Sequence, residues 1–119
     1  MPSVQTLWSL IDYICAERGY EKPTKLPEVQ VLPHMAAHGT YKAGLIQLKQ
    51  YDRYSAFDRS ILLHELVHFV QFTNEVSEPH ESQLDYKEIE ALRLQDMYLR
   101  SHHLLLQDFT SVSAMKKMT

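Results

Sequence analysis

The sequence predicts an α+β fold made of an N-terminal helix, a small antiparallel or mixed sheet and two further helices, in a single domain over residues 1–119. Three observations predict it. Apolar residues recur at helical spacing from Ser3 to Arg18 and again after Ser55, while strand-like alternation is confined to the stretch between them. Strands and helices are thus segregated along the chain, which is the pattern of α+β rather than of a parallel α/β sheet. A length of 119 residues without an internal repeat fits one hydrophobic core.

In the first helix Leu7, Leu10, Ile11, Ile14 and Cys15 form one apolar face, and Gly19 supplies the stop. Cys15 is the single cysteine, so it has no disulfide partner and no second thiol for a thiolate cluster; it reads, with Trp8, as a core residue. Residues 22–33 hold three prolines and the run Val29-Gln30-Val31-Leu32, a loop leading into a short strand ended by Pro33. His34 to Gly39 turns. Tyr41 to Gln50 reads as one second strand, with Ile46 and Leu48 on one face and Gln47 and Lys49 on the other, behind the turn-compatible Gly39 and Gly44.

Ser55 with Asp58 three residues on looks like a capping box, and the chain then runs without Gly or Pro to about Asn74. That helix is apolar almost all round, with Phe57 in the core. Glu75 to Gln83, containing Pro79, reads as a polar loop, and Leu84 to about His103 as the last helix. The polar tail from Gln107 to Thr119, ending in Lys116-Lys117, is expected to be loosely held.

Composition excludes several function classes. Twelve Lys and Arg against fifteen Asp and Glu give a net charge of −3, so the basic surface of a nucleic-acid binder is absent. With 45% hydrophobic and 23% charged residues the chain is too apolar for disorder, and no 18-residue apolar run marks a membrane span. Met1 to Gln5 lacks a positive n-region, and Ser9, Asp12 and Tyr13 break the apolar stretch behind it, so no export signal is read there. Seven histidines are the one excess.

Two of them fall in His64-Glu65-Leu66-Val67-His68. On a helix, residues four apart lie one above the other, so His64 and His68 can present two imidazoles to one cation while Glu65 sits beside them to hold a water. A chain of this composition is expected to show only about 0.03 such matches by accident. Helical projection puts Ser60, His64, His68, Gln71 and Glu75 in one narrow stripe, with Leu62, Leu63, Leu66, Val67, Phe69 and Val70 on the remaining faces. Polar groups on a buried helix need partners, because each one left unsatisfied costs about 1–3 kcal/mol. A bound metal is one way to satisfy them; the competing reading makes His64 and His68 core histidines bonded to backbone or carboxylates, with Glu65 on a solvated edge. His34, His38 and His80 fall in loops and read as solvated, and His102-His103 closes a helix, where a cation suits the macrodipole.

A third ligand has to come from elsewhere. Gln71 and Asn74 occupy the positions where metzincins carry Gly and His, which excludes that branch. The last helix offers Glu88-Ile89-Glu90-Ala91. Glu90 has Lys87 at i−3 and Arg93 at i+3, the setting of a solvated ion pair, and is the minor candidate. Glu88 shares its stripe with Leu84, Ala91, Leu92, Gln95 and Leu99 and is expected to point inward.

His64-Glu65-x-x-His68 on one helix, followed by Glu88-x-x-Ala91 on the next, resembles the gluzincin metallopeptidases, over about Gly39 to Leu99 and particularly their minimal single-domain members. The resemblance implies a zincin-like fold, Zn²⁺ held by His64, His68 and Glu88, Glu65 as general base, and a peptide or protein as substrate. It further implies that the Gly44–Lys49 strand holds an extended peptide by strand addition, and that a Tyr or His stabilises the oxyanion, the candidates being Tyr41, Tyr86, His38, His102 and His103. One position departs from the pattern: many gluzincins carry Asp four residues after the ligand Glu to support a zinc-bound His, and here Leu92 stands there, so His64 or His68 must find another partner. The activity implied is zinc-dependent peptide-bond hydrolysis. Its rivals are a narrow regulatory protease of one protein partner and a zinc-binding module without turnover; the retained Glu65 argues against a purely structural site.

Overall fold

Ser3 opens the first helix, α1 (Val4–Arg18), by accepting a hydrogen bond from the Thr6 N–H, which satisfies one of the donors every helix start leaves over. Gly19 ends it at φ 70°, a left-handed conformation that costs glycine nothing, with its N–H on the Cys15 carbonyl. The computed structural model describes residues 1–76 and 86–103, and within them an α+β architecture follows: β1 (Glu28–Val31), β2 (Gly39–Lys42), β3 (Leu45–Leu48), α2 (Ala56–Thr73) and α3 (Tyr86–Ser101). The predicted loop beyond Val76, with His80, the Leu84 start of the last helix and the 107–119 tail lie outside the described residues.

The single strand expected over Tyr41–Gln50 is a hairpin of two. Ala43 and Gly44 both adopt positive φ, 49° and 84°, which is the backbone of a tight two-residue turn whose twist matches the flanking strands. Gly39, unlike Gly44, is not a turn residue: it starts β2, buried against the helix behind it. The sheet order is β1-β3-β2, with β3 parallel to β1 and antiparallel to β2, so the sheet is mixed. Because β3 is paired along its length on both sides, its backbone has no edge to offer, and strand addition at Gly44–Lys49 is ruled out. The outer strands are β1 and β2.

Helix α2 is buried on nearly every face, as its composition predicts: Leu62, Leu63, Leu66 and Val67 are fully enclosed. It packs on α3, on α1 and on the sheet, where Ile46 and Leu48 of β3 face the core that Ile11 and Ile14 of α1 complete. Cys15, Trp8 and Phe57 sit at the rim of this core, half-buried. Its start departs from the capping box. Ser55 accepts from the Asp58 N–H at 3.1 Å, but Asp58, one methylene shorter than the Glu of a full box, turns instead to the Asp52 N–H (2.8 Å) and the Gln50 amide (3.2 Å). Asp58 thereby ties the loop after β3 to the helix. At the other end Asn74 bonds the Val70 carbonyl and both backbone groups of Glu21, fastening α2 to the chain leaving α1. Glu75 leaves the expected polar stripe: it lies beyond the helix end at φ 54° and is exposed. Among the described residues no helix is long and apolar enough to cross a membrane.

Candidate metal centre

Four residues apart on α2, His64 and His68 lie one above the other with ring centroids 5.1 Å apart. Glu88, in the first turn of α3, reaches across to both, its Oε1 at 2.7 Å from His64 Nε2 and its Oε2 at 3.2 Å from His68 Nε2. One ligand atom from each of the three residues falls within 4.8 Å of the others. Donor atoms this close, two imidazole nitrogens and a carboxylate oxygen, could share one cation. His64 Nε2 and Glu88 Oε1 are buried and close, yet not aligned as a hydrogen bond, which leaves two donor atoms of a potential ligand set without other partners. The expected trio is therefore brought together.

Glu65 is wholly buried beside the cluster, and neither of its carboxylate oxygens has a hydrogen-bond partner. Burial, reinforced by the nearby charge of Glu88, pushes its carboxyl well above the usual carboxylate range. The solvated edge considered for this residue is excluded. For Glu88, burial also acts upward, but the His64 and His68 imidazoles against it, when protonated, outweigh it and hold the carboxyl down at about 2.

The ring nitrogens pointing away from Glu88 are also engaged. His64 Nδ1 lies 3.0 Å from Gln95 Oε1, and His68 Nδ1 lies 2.9 Å from Gln71 Oε1. These are the supports that Leu92 cannot supply; Leu92 itself is half-buried against the core. Gln95 lies seven residues after Glu88, two turns on along the same face, and its polarity on an inward apolar stripe was the signal available for it.

Glu90 departs from expectation. It is 4% exposed, and its partners are not Lys87 and Arg93: its carboxylate accepts from Arg18 Nε (2.8 Å), Tyr20 Oη (2.6 Å) and Gln71 Nε2 (2.9 Å). No local signal marks Arg18 and Tyr20 as its partners, since they lie at the far end of the chain. Burial and the bond to Glu90 push the Tyr20 phenol up from its ordinary value.

None of the oxyanion candidates is placed on the cluster. Tyr41 accepts from the Gly44 N–H and packs on Phe69, His38 meets the Phe57 ring edge-on, and His102 stacks on Tyr98 with Nδ1 toward the Tyr98 carbonyl. Tyr86 and His103 are exposed. His34 is exposed as expected, whereas His38 is half-buried. No protein-family model, curated protein or solved structure matches this chain.

Proposed function

We propose that the chain is a zinc-dependent peptidase of gluzincin type, built on a zincin-like arrangement of α2 and α3. The observation that carries the reading is the convergence of His64, His68 and Glu88 from two helices, with the unpartnered carboxylate of Glu65 buried beside them. Two neutral imidazoles and one carboxylate suit zinc, which when bound supplies a Lewis-acidic position that activates a water and polarises a carbonyl. Glu88 brings the negative charge of the set. Glu65 lies outside the set, and its carboxylate accepts the proton of the attacking water at Oε1 or Oε2 and passes it to the leaving amine. A carboxylate withdrawn from solvent has the greater proton affinity that this role needs near neutral pH.

Elemental analysis of the chain purified without added metal tests the site, with one zinc per chain expected; a content near zero that zinc dialysis does not raise overturns it. A peptide library read by mass spectrometry for new termini tests turnover. Chelator-sensitive cleavage is expected from the wild type, and Glu65→Gln should keep its zinc yet lose about 10² to 10⁴-fold in rate. Equal cleavage by both would remove Glu65 as the base. Zinc bound without cleavage of the library or of unfolded proteins would favour the single-partner protease or the binding module.

A further inference from the structure

Building on that metal-site reading, we propose that Gln71 and Gln95 are positioning residues that hold His68 and His64 with Nδ1 protonated and Nε2 presented to the metal. The group behind each glutamine sets its orientation. A glutamine amide has nearly the same shape either way round, an acceptor oxygen at one end and a donor NH₂ at the other, so its surroundings decide which end faces the ring.

Behind Gln71 stand the Lys87 carbonyl at 3.0 Å and the Glu90 carboxylate at 2.9 Å. Both accept, and Arg18 and Tyr20 hold Glu90 in place, so only the amide nitrogen fits on that side. The oxygen is then turned to His68 Nδ1, and since an amide oxygen only accepts, that nitrogen must carry the proton. A neutral imidazole protonated at Nδ1 has its lone pair on Nε2, the atom that faces Glu88.

Gln95 reaches the same result by different means. The Ser60 hydroxyl donates to the Phe57 carbonyl at 2.6 Å, so its oxygen has only lone pairs left for Gln95, which meets it with Nε2 at 3.3 Å. Gln95 Oε1 is thereby fixed on His64 Nδ1. Ser60, Gln71 and Gln95 are all buried, which keeps water from competing for these bonds. The arrangement occurs once on each histidine, from different helices and with different backing groups. Both supports are neutral. An amide draws the Nδ1 proton less strongly than a carboxylate does, so the rings donate less charge to the cation, and exchanging one amide for a carboxylate should tighten metal binding.

The test uses the full chain. Long-range ¹H–¹⁵N spectra of the zinc-loaded wild type should show both imidazoles protonated at Nδ1 with zinc on Nε2; zinc on Nδ1 of either ring overturns the proposal without any variant being made. Competition with a chromogenic chelator should show Gln71→Met and Gln95→Met weakening zinc roughly 10- to 100-fold. Ser60→Ala should weaken it less, because Gln95 remains but is free to flip. Gln95→Glu keeps an acceptor on His64 Nδ1, and the Ser60 hydroxyl can turn from the Phe57 carbonyl to donate to the second oxygen, so this variant should bind zinc more tightly than Gln95→Met, which a loss of packing alone would not give. Methionine variants that bind zinc like wild type, or Gln95→Glu binding no better than Gln95→Met, would refute the positioning role while leaving the metal site standing. A wild type that takes up no zinc would remove the metal site itself, and this proposal with it.

Discussion

A methyl group on residue 39 would fit only if its neighbours gave way by a few tenths of an ångström. A Cβ added to Gly39 would lie 3.0 Å from Ile61 Cγ2, 3.1 Å from Glu65 Cγ and 3.2 Å from Glu65 Oε2, against side chains that are themselves enclosed. Gly39→Ala is therefore expected to cost about 1–3 kcal/mol through overpacking and to displace the Glu65 carboxylate. Thermal melting reads the first effect. Zinc content reads the contrast, since Gly39 does not press on His64, His68 or Glu88 and metal should be retained; an unchanged melting temperature would show that the wall yields. The two acids of α3 give a second contrast at this scale. Glu88→Gln should weaken zinc far more than Glu90→Gln in a chelator titration, because only Glu88 places its oxygens on the histidines. Equal losses would contradict the ligand assignment.

Among the elements, α3 shows how far sequence reasoning reaches. Helical projection brought Glu88 inward from the periodicity of its apolar neighbours, and the structure puts it on the histidines. The same reasoning assigned Glu90 to Lys87 and Arg93, which do stand at helical spacing, but Arg18 and Tyr20 from the far end of the chain displace them. Non-local partners leave no periodic trace. The hairpin leaves no trace in the sequence for a local reason: Ala is rare at positive φ, so Ala43 hides a turn that Asn or Asp before Gly44 would announce. Two stability predictions follow from these details. Ala43→Gly or Ala43→Asn should stabilise by about 1 kcal/mol, because either residue adopts φ near 50° more easily. Glu90→Gln should destabilise by about 1–3 kcal/mol, since its one oxygen can take the place of Oε1 toward Tyr20 and Gln71 but its NH₂ then faces the Arg18 guanidinium, where donor meets donor and the ion pair is lost. Chemical denaturation measures both, and a Glu90→Gln midpoint equal to wild type would mean water enters to replace the lost acceptor.

For the whole molecule, the proposed ion would join α2 to α3, the most extensively packed pair of elements. Removing it with a chelator should lower the melting temperature, by an amount corresponding to about 2.7 kcal/mol where free zinc had stood at a hundred times its dissociation constant. An unchanged melt after confirmed metal loss would contradict a site that spans both helices. Arg18 and Tyr20 bear on a different property. They meet Glu90 across 72 and 70 residues of sequence, so their bonds close a loop through most of the described chain, and such contacts are the most expensive in chain entropy to form early. If the contacts between α2 and α3 form before α1 docks, the clasp on Glu90 closes after the rate-limiting step. Stopped-flow measurements on Arg18→Ala should accordingly find refolding as fast as wild type and unfolding accelerated. That result would mean that the far end of the chain sets how long the native state lasts rather than how fast it is reached.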